Sequence, residues 1–136
     1  MTIPQTVSVT RVVDVPGRDV DRILPDLVRI RAVEGSGPGA RRTCGTDQGV
    51  IEETLLTIDD DARLFRYRID RQSMMPLTDY VGAVHVVPLE AGGSHVLWFA
   101  TYQLVERGAE AAVADGLRGL LGSGIGGLAA LARGVA

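Results

Sequence analysis

At 136 residues the chain is long enough to bury one sizeable core and too short for two. Apolar residues make up 46% of it, as in globular proteins, and a net charge of −3 argues against a nucleic-acid or anionic-membrane footprint. All 14 basic residues are arginine, so lysine Schiff-base chemistry is excluded, and two histidines with the single Cys44 argue against an all-protein zinc or haem site and rule out an internal disulfide.

The opening "MTIPQTVSVT" lacks a charged segment followed by an apolar run, and no window reaches the ~18 apolar residues of a membrane span. A cytoplasmic protein is the expectation. "QTVSVTRVVDV" alternates, with Val7, Val9, Val13 and Val15 on one side and Arg11 sharing it, which predicts a strand. Pro16 opens a short helical stretch that Pro25 ends. "LVRIRAVE" alternates again, "GSGPG" at 35–39 is turn material, and "ARRTCGT" and "VIEETLLTID" follow around a tight "DQG" turn. The acidic run Asp59–Asp61 closes that strand. In "ARLFRYRID", Phe65, Tyr67 and Ile69 face away from Arg66 and Arg68. After the loop "QSMMPL" come "TDYVGAVHVV" and "SHVLWFATYQLV", joined by a glycine hairpin at 91–93.

From Gly108 the apolar period changes from two to 3.6, with Glu106 and Glu110 near the start and Arg133 and Gly134 at the end. The order is strand, short helix, six strands, long helix. One long helix must cover the apolar face of an antiparallel sheet, which gives an α+β architecture in which a curved seven-stranded sheet grips the helix.

"GSGIGG" at 122–127 matches the glycine spacing of a dinucleotide-binding turn, but it lies well inside the helical period with no strand before it and none after. Nucleotide binding is therefore not expected. On a helical wheel Val113, Leu117, Leu120, Leu121, Ile125, Leu128, Leu131 and Ala132 form the buried arc, and of the glycines and Ser123 only Gly124 lies within it. Gly124 then either leaves a notch for a ligand between Leu117, Leu120 and Leu128 or permits a close helix-to-sheet contact. Gly119, Gly122 and Gly126 fall on the other side, where they are a solvated face or the seam of a homodimer.

The element order, together with "DVPGRDVDRIL", "VEGSGPGARR", "VIEETLLTIDDDARLFRYRI", "PLTDYVGAVHVVP" and "SHVLWFATYQL", resembles the START-like SRPBCC superfamily, and within it the polyketide cyclase/dehydrase-like proteins. The resemblance spans nearly the whole chain. It implies a helix-grip fold, one START-like domain over residues 1–136, and a cavity between sheet and C-terminal helix that holds an apolar molecule. It names no reaction, because members include cyclases, lipid carriers and receptors. One departure is visible: only about a dozen residues separate Pro16 from Val28, so the second of the family's two short helices is reduced or absent.

Carried over by resemblance, Arg42, Glu53, Tyr80 and Trp98 take the places of four family residues around the cavity. Strand parity independently groups Tyr80 with Gly82, Trp98 with Tyr102, and Phe65 with Tyr67 as cavity-facing sets. Glu53 shares its side with Ile51 and Leu55, an apolar company that would raise a carboxylate's pKa and suit a general base. Arg42 or Arg11 would stabilise an enolate or bind a carboxylate, and Tyr80 would protonate or orient a carbonyl. A structural ion pair between Glu53 and Arg42 is the competing reading, as is plain packing for the tyrosines. Met74 and Met75 before Pro76 suit an adaptable lid, with Met75 against the ligand, or packing on the core. His85 and His95 lie on the opposite sheet face, and Asp59–Asp61 lacks the spaced ligands of a calcium loop, so no metal and no cofactor is expected.

The function these readings imply is enclosure of an apolar, oxygenated small molecule and its cofactor-free cyclisation or dehydration in bacterial specialised metabolism. A non-catalytic carrier or receptor using the same cavity, and a dimeric interaction module, are the alternatives.

Overall fold

A computed structural model of the chain describes residues 3–13, 33–34, 38–46, 49–59 and 61–132. The strands are β1 (Ile3–Val13), β2 (Val33–Glu34), β3 (Arg41–Thr46), β4 (Gly49–Asp59), β5 (Leu64–Arg71), β6 (Leu77–Pro88) and β7 (Ser94–Leu104), and one helix, α1 (Glu110–Ala132), follows. The sheet runs in the order β1-β7-β6-β5-β4-β3-β2, antiparallel at every pairing. Its body is the five strands of eight to twelve residues, with six-residue β3 and two-residue β2 at one margin. The short helix expected between Pro16 and Pro25, the reduced second helix, and most of "LVRIRAVE" lie outside the described residues.

Alternation is the reason these segments form a sheet with one dry face. On β1, Val7, Val9 and Val13 are buried while Thr6, Ser8, Thr10 and Val12 are exposed. On β5, Phe65 and Tyr67 point inward and Arg66 and Arg68 outward. The turns carry their own chemistry. Leu89 and Gly93 close the 91–93 hairpin through Leu89 N–H to Gly93 O at 3.1 Å, with Gly92 and Gly93 at φ +93° and +80°. At the β4–β5 turn the Asp59 carboxylate accepts the Ala62 N–H at 3.0 Å, which closes the turn.

Strict alternation is broken where the sheet must bend. Along β4 and β5 the register shifts between Glu52 and Glu53 and again between Leu55 and Thr57, so that Leu55 and Ile58, three residues apart, both serve the inner face. On β6 the shift lies between Thr78 and Val81, and Asp79 takes φ +53°. The extra residue there lets Leu77 and Tyr80 both face the core. Such bulges raise local twist and curve the sheet.

Helix α1 lies across the concave face, chiefly on β1 and then on β7. Glu110 stands in its first turn, where an anion is favoured. Among the described side chains its buried residues are Val113, Leu117, Leu121, Ile125 and Ala129, a run in steps of four. That stripe is rotated from the expected arc. Leu120 is 42% exposed at its rim, which corrects its assignment to the buried face: a helix seated toward the β1 margin turns the Leu121 side down and lifts Leu120 out.

Candidate functional site

Four aromatic side chains meet on the inner face of the sheet. Phe65 and Tyr67 come from β5, Tyr80 from β6 and Trp98 from β7, with centroid separations of 5.8 to 6.5 Å and the Trp98 ring edge-on to both Phe65 and Tyr67. Such tilted and edge-to-face packing places ring edges against π faces. Glycine makes it fit. Gly82 stands opposite Tyr67 in the β5–β6 register, and a Cβ there would lie 2.5 Å from Tyr67 Cε1 and Oη, so the phenol lies over bare backbone.

A hydrogen-bonded chain runs through these rings. The indole Nε1–H of Trp98 donates to Tyr67 Oη at 3.0 Å, and Tyr67 Oη and Tyr80 Oη are 2.9 Å apart. Burial pushes the Tyr67 phenol well above its ordinary pKa, with Tyr80 and Glu53 adding to the rise and the Trp98 bond opposing it. Tyr80 is pushed up to about 12, first by burial and further by the Glu53 charge, against the pull of the Tyr67 hydrogen bond. Both phenols therefore stay protonated at neutral pH and serve as hydrogen-bond donors.

Glu53 shares this face. It is 7% exposed, stands opposite Arg42 on β3 and Ile69 on β5, and its charge reaches both phenols. A buried carboxylate beside two neutral phenols is an acid–base arrangement. The Arg42 and Leu128 side chains lie outside the described residues.

The remaining predicted positions divide. Tyr102 is buried on β7, where Arg118 of the helix reaches it electrostatically; burial raises its phenol. Arg11 is exposed, and its Nη2 would be 3.7 Å from a Cβ at Gly122, so Gly122 faces β1 rather than the open side occupied by Gly119 and Gly126. Leu117 is buried in the core. Gly124 sits against the Trp98 indole, 2.7 Å from Cη2 to an added Cβ. The space beneath it is filled by that ring, the close helix-to-sheet contact rather than an empty notch.

Met75 is half-buried and packed on the core, and its Sδ would lie 3.8 Å from a Cβ at Gly116. Its loop is pinned by a residue that carried no signal in the sequence, Gln72. The Gln72 side-chain oxygen accepts the N–H groups of Met74 and Met75 at 2.9 and 3.0 Å, and its amide donates to Met75 O and Leu77 O at 2.9 and 3.2 Å. This is a clamped strap. Beside it β5 and β6 part company: their pairing ends at Arg68 and Val81, and a recess of about 190 Å³ opens between them, with Ile69, Gln72, Leu77 and Tyr80 among its walls.

On the outer face the Thr54 hydroxyl donates to Asp70, and Arg68 Nε donates to the other oxygen of that carboxylate at 2.6 Å. Burial works against the charge on Asp70, but these two bonds hold its pKa below the ordinary value. This network ties β4 to β5, and Asp70 also lines the recess between β5 and β6. His85 and His95 are half-buried on the face opposite Val84 and Val96, and among the described residues no three metal-binding side chains cluster. No helix among those residues is long and apolar enough to cross a membrane.

Comparison with known proteins agrees with this architecture. The solved structure of norcoclaurine synthase from Thalictrum flavum in complex with dopamine and hydroxybenzaldehyde superposes with a TM-score of 0.73 at 17% identity, covering 96% of this chain and 87% of that one. A protein from Nitrosospira multiformis gives 0.73 at 22% identity over 93% and 94%, and XoxI from Bacillus cereus gives 0.73 at 21% over 90% and 92%. These likenesses carry the fold, not the chemistry. No curated protein sequence matches the chain. The model of the family described as polyketide cyclase / dehydrase and lipid transport matches residues 4–133, nearly its whole length. With its helix-grip layout the chain thus belongs to that family, within the START-like SRPBCC superfamily.

Proposed function

We propose that the protein, as one cytoplasmic domain, encloses an apolar, oxygenated small molecule between sheet and helix and promotes its cyclisation or dehydration without a cofactor. Glu53 is the general base, Tyr80 the proton donor and Arg42 the support for developing negative charge. Glu53 takes a proton from a carbon beside a ketone, and the enolate oxygen is held by Tyr80 and Arg42. The enolate carbon then attacks a second carbonyl of the same molecule, whose oxygen takes that proton back from Glu53; in a dehydration Glu53 removes a second proton from the same carbon and passes it to the new hydroxyl, which leaves as water as the double bond forms. The observation that carries this reading is the buried Glu53 carboxylate on the same inner face as two hydrogen-bonded phenols that stay neutral. The similar fold of a synthase solved with two aromatic ligands supports a ring-bearing occupant.

A second reading, a carrier that binds without turnover, draws support from the lipid-transport half of the family description. One experiment separates them. Mass spectrometry of whatever co-purifies identifies the molecule, and turnover and affinity are then measured for Glu53→Gln. Abolished turnover with affinity retained is the expected result. Unchanged turnover would remove Glu53 as the base, and a wild-type protein that binds the molecule and leaves it unaltered is a carrier.

A further inference from the structure

The chain of polar hydrogens through the aromatic cluster has a direction that one of its members sets. Trp98 Nε1 is only a donor, so its 3.0 Å bond makes Tyr67 Oη an acceptor. The 2.9 Å contact between the two phenols can then be satisfied in either sense. If Tyr67 donates to Tyr80, each oxygen in the chain accepts one bond and donates one, and each bond strengthens the next by ~10–30%. If Tyr80 donates to Tyr67, two donors compete for one phenolic oxygen. The first arrangement is the cooperative one.

We infer that Trp98 is a positioning residue: by donating to Tyr67 it directs the chain Trp98 to Tyr67 to Tyr80, so that Tyr80 presents its phenolic proton to the bound molecule. Two backbone features fix the geometry. Gly82 gives the Tyr67 ring its seat and Gly124 gives Trp98 its own, so both rings are held between backbone surfaces of sheet and helix. The β6 bulge at Asp79 turns Tyr80 inward beside them, and Tyr80 also lines the recess between β5 and β6. The ligand atom that meets Tyr80 is accordingly a hydrogen-bond acceptor, a carbonyl or enolate oxygen, rather than a hydroxyl proton. This inference rests on the proposed role of Tyr80 as proton donor.

The sole tryptophan gives a single indole N–H signal, so the test needs no ligand. In proton NMR of the full chain, Tyr67→Phe removes the acceptor and moves the Trp98 indole proton well upfield. Tyr80→Phe decides the direction. In the directed chain it removes the acceptor of Tyr67, weakens the polarisation and moves the indole proton upfield by a smaller step. In the reverse arrangement it relieves competition at Tyr67 Oη and moves the proton downfield. An upfield step supports the inference, and a downfield step or none overturns it. Should Tyr80→Phe fail to fold, the unmodified protein supplies the answer: nuclear Overhauser contacts from the Tyr67 hydroxyl proton to the Tyr80 ring are expected, and contacts from the Tyr80 hydroxyl proton to the Tyr67 ring overturn the direction. A reversed chain with Glu53→Gln inactive would remove the role of Trp98 and leave the base in place, whereas an active Glu53→Gln with a directed chain would do the opposite.

Discussion

Gly82 carries a hydrogen where any other residue would put carbon into the Tyr67 ring. With Tyr67 fully packed between β6 and Trp98, the ring has no sideways escape that keeps both of its hydrogen bonds. Gly82→Ala is therefore expected to lower stability by about 1–3 kcal/mol, the usual cost of overpacking a filled core, and to shift the Trp98 indole resonance because its acceptor moves. Chemical denaturation with the indole signal as a second probe checks it, and a variant with unchanged midpoint and unchanged resonance would show that Tyr67 is not seated on this backbone. Parity had put Gly82 and Tyr80 on one face, and the glycine's role follows only once the neighbouring strand is placed in register. Gly124 was separable from the other helix glycines by its angle on the wheel. What fills the space beneath it, the Trp98 indole, depends on a rotamer that periodicity does not encode.

Helix α1 shows what a period can and cannot give at the level of an element. The 3.6 period placed the helix and most of its buried residues, Val113, Leu117, Leu121 and Ile125, but the stripe's centre follows from which strands the helix rests on. Leu120 was misplaced for that reason. The same placement separates Gly122, which approaches Arg11, from Gly119 and Gly126, beside which an added Cβ meets open space. An alanine at either open site costs no clash and restricts the unfolded chain, so Gly119→Ala and Gly126→Ala should each stabilise by up to ~1 kcal/mol and raise Tm additively. Thermal unfolding of the two single variants and the double variant measures this. A loss of stability instead, accompanied by a change in sedimenting mass, would mean that a second copy packs closely against this face. Among the strands, alternation identified the inner residues wherever the ladder is regular. It does not reach Leu77 and Ile58, because a bulge adds one residue to the count and leaves no mark in the sequence of apolar and polar types.

Across the whole molecule the legible and illegible parts have one physical origin. Burial of one face and one stripe is written in periodicity, so the layer architecture and the inward set of Glu53, Phe65, Tyr67, Tyr80 and Trp98 could be read before any coordinates. Contacts that join separate elements, such as the Gln72 clamp and the Trp98–Tyr67–Tyr80 chain, depend on bulges and rotamers and could not. That same interior couples ionisation to global folding. Tyr80 ionises near pH 12 in the folded protein and near pH 10 once unfolded, and Tyr67 is displaced in the same direction. Below about pH 10 both states hold their phenolic protons, and the contribution to stability is complete. As pH rises from there toward the folded value, the unfolded chain binds fewer protons than the native one, so stability falls with pH and the contribution is lost. Alkaline unfolding should follow, with phenolate absorbance of the buried pair and loss of far-UV circular dichroism rising together. Tyr80→Phe, which removes one ionisable phenol, should move the transition to higher pH. Asp70 contributes with the opposite sign: its depressed carboxyl pKa gives stability that is present above the ordinary aspartate value and lost as pH falls through the folded one, an acid limit softened by solvent at this exposed site. If the full phenolate absorbance of all three tyrosines instead develops while circular dichroism is still native, then Tyr67 and Tyr80 are reached by solvent in the folded state. They could not then remain the neutral donors that the proposed chemistry requires.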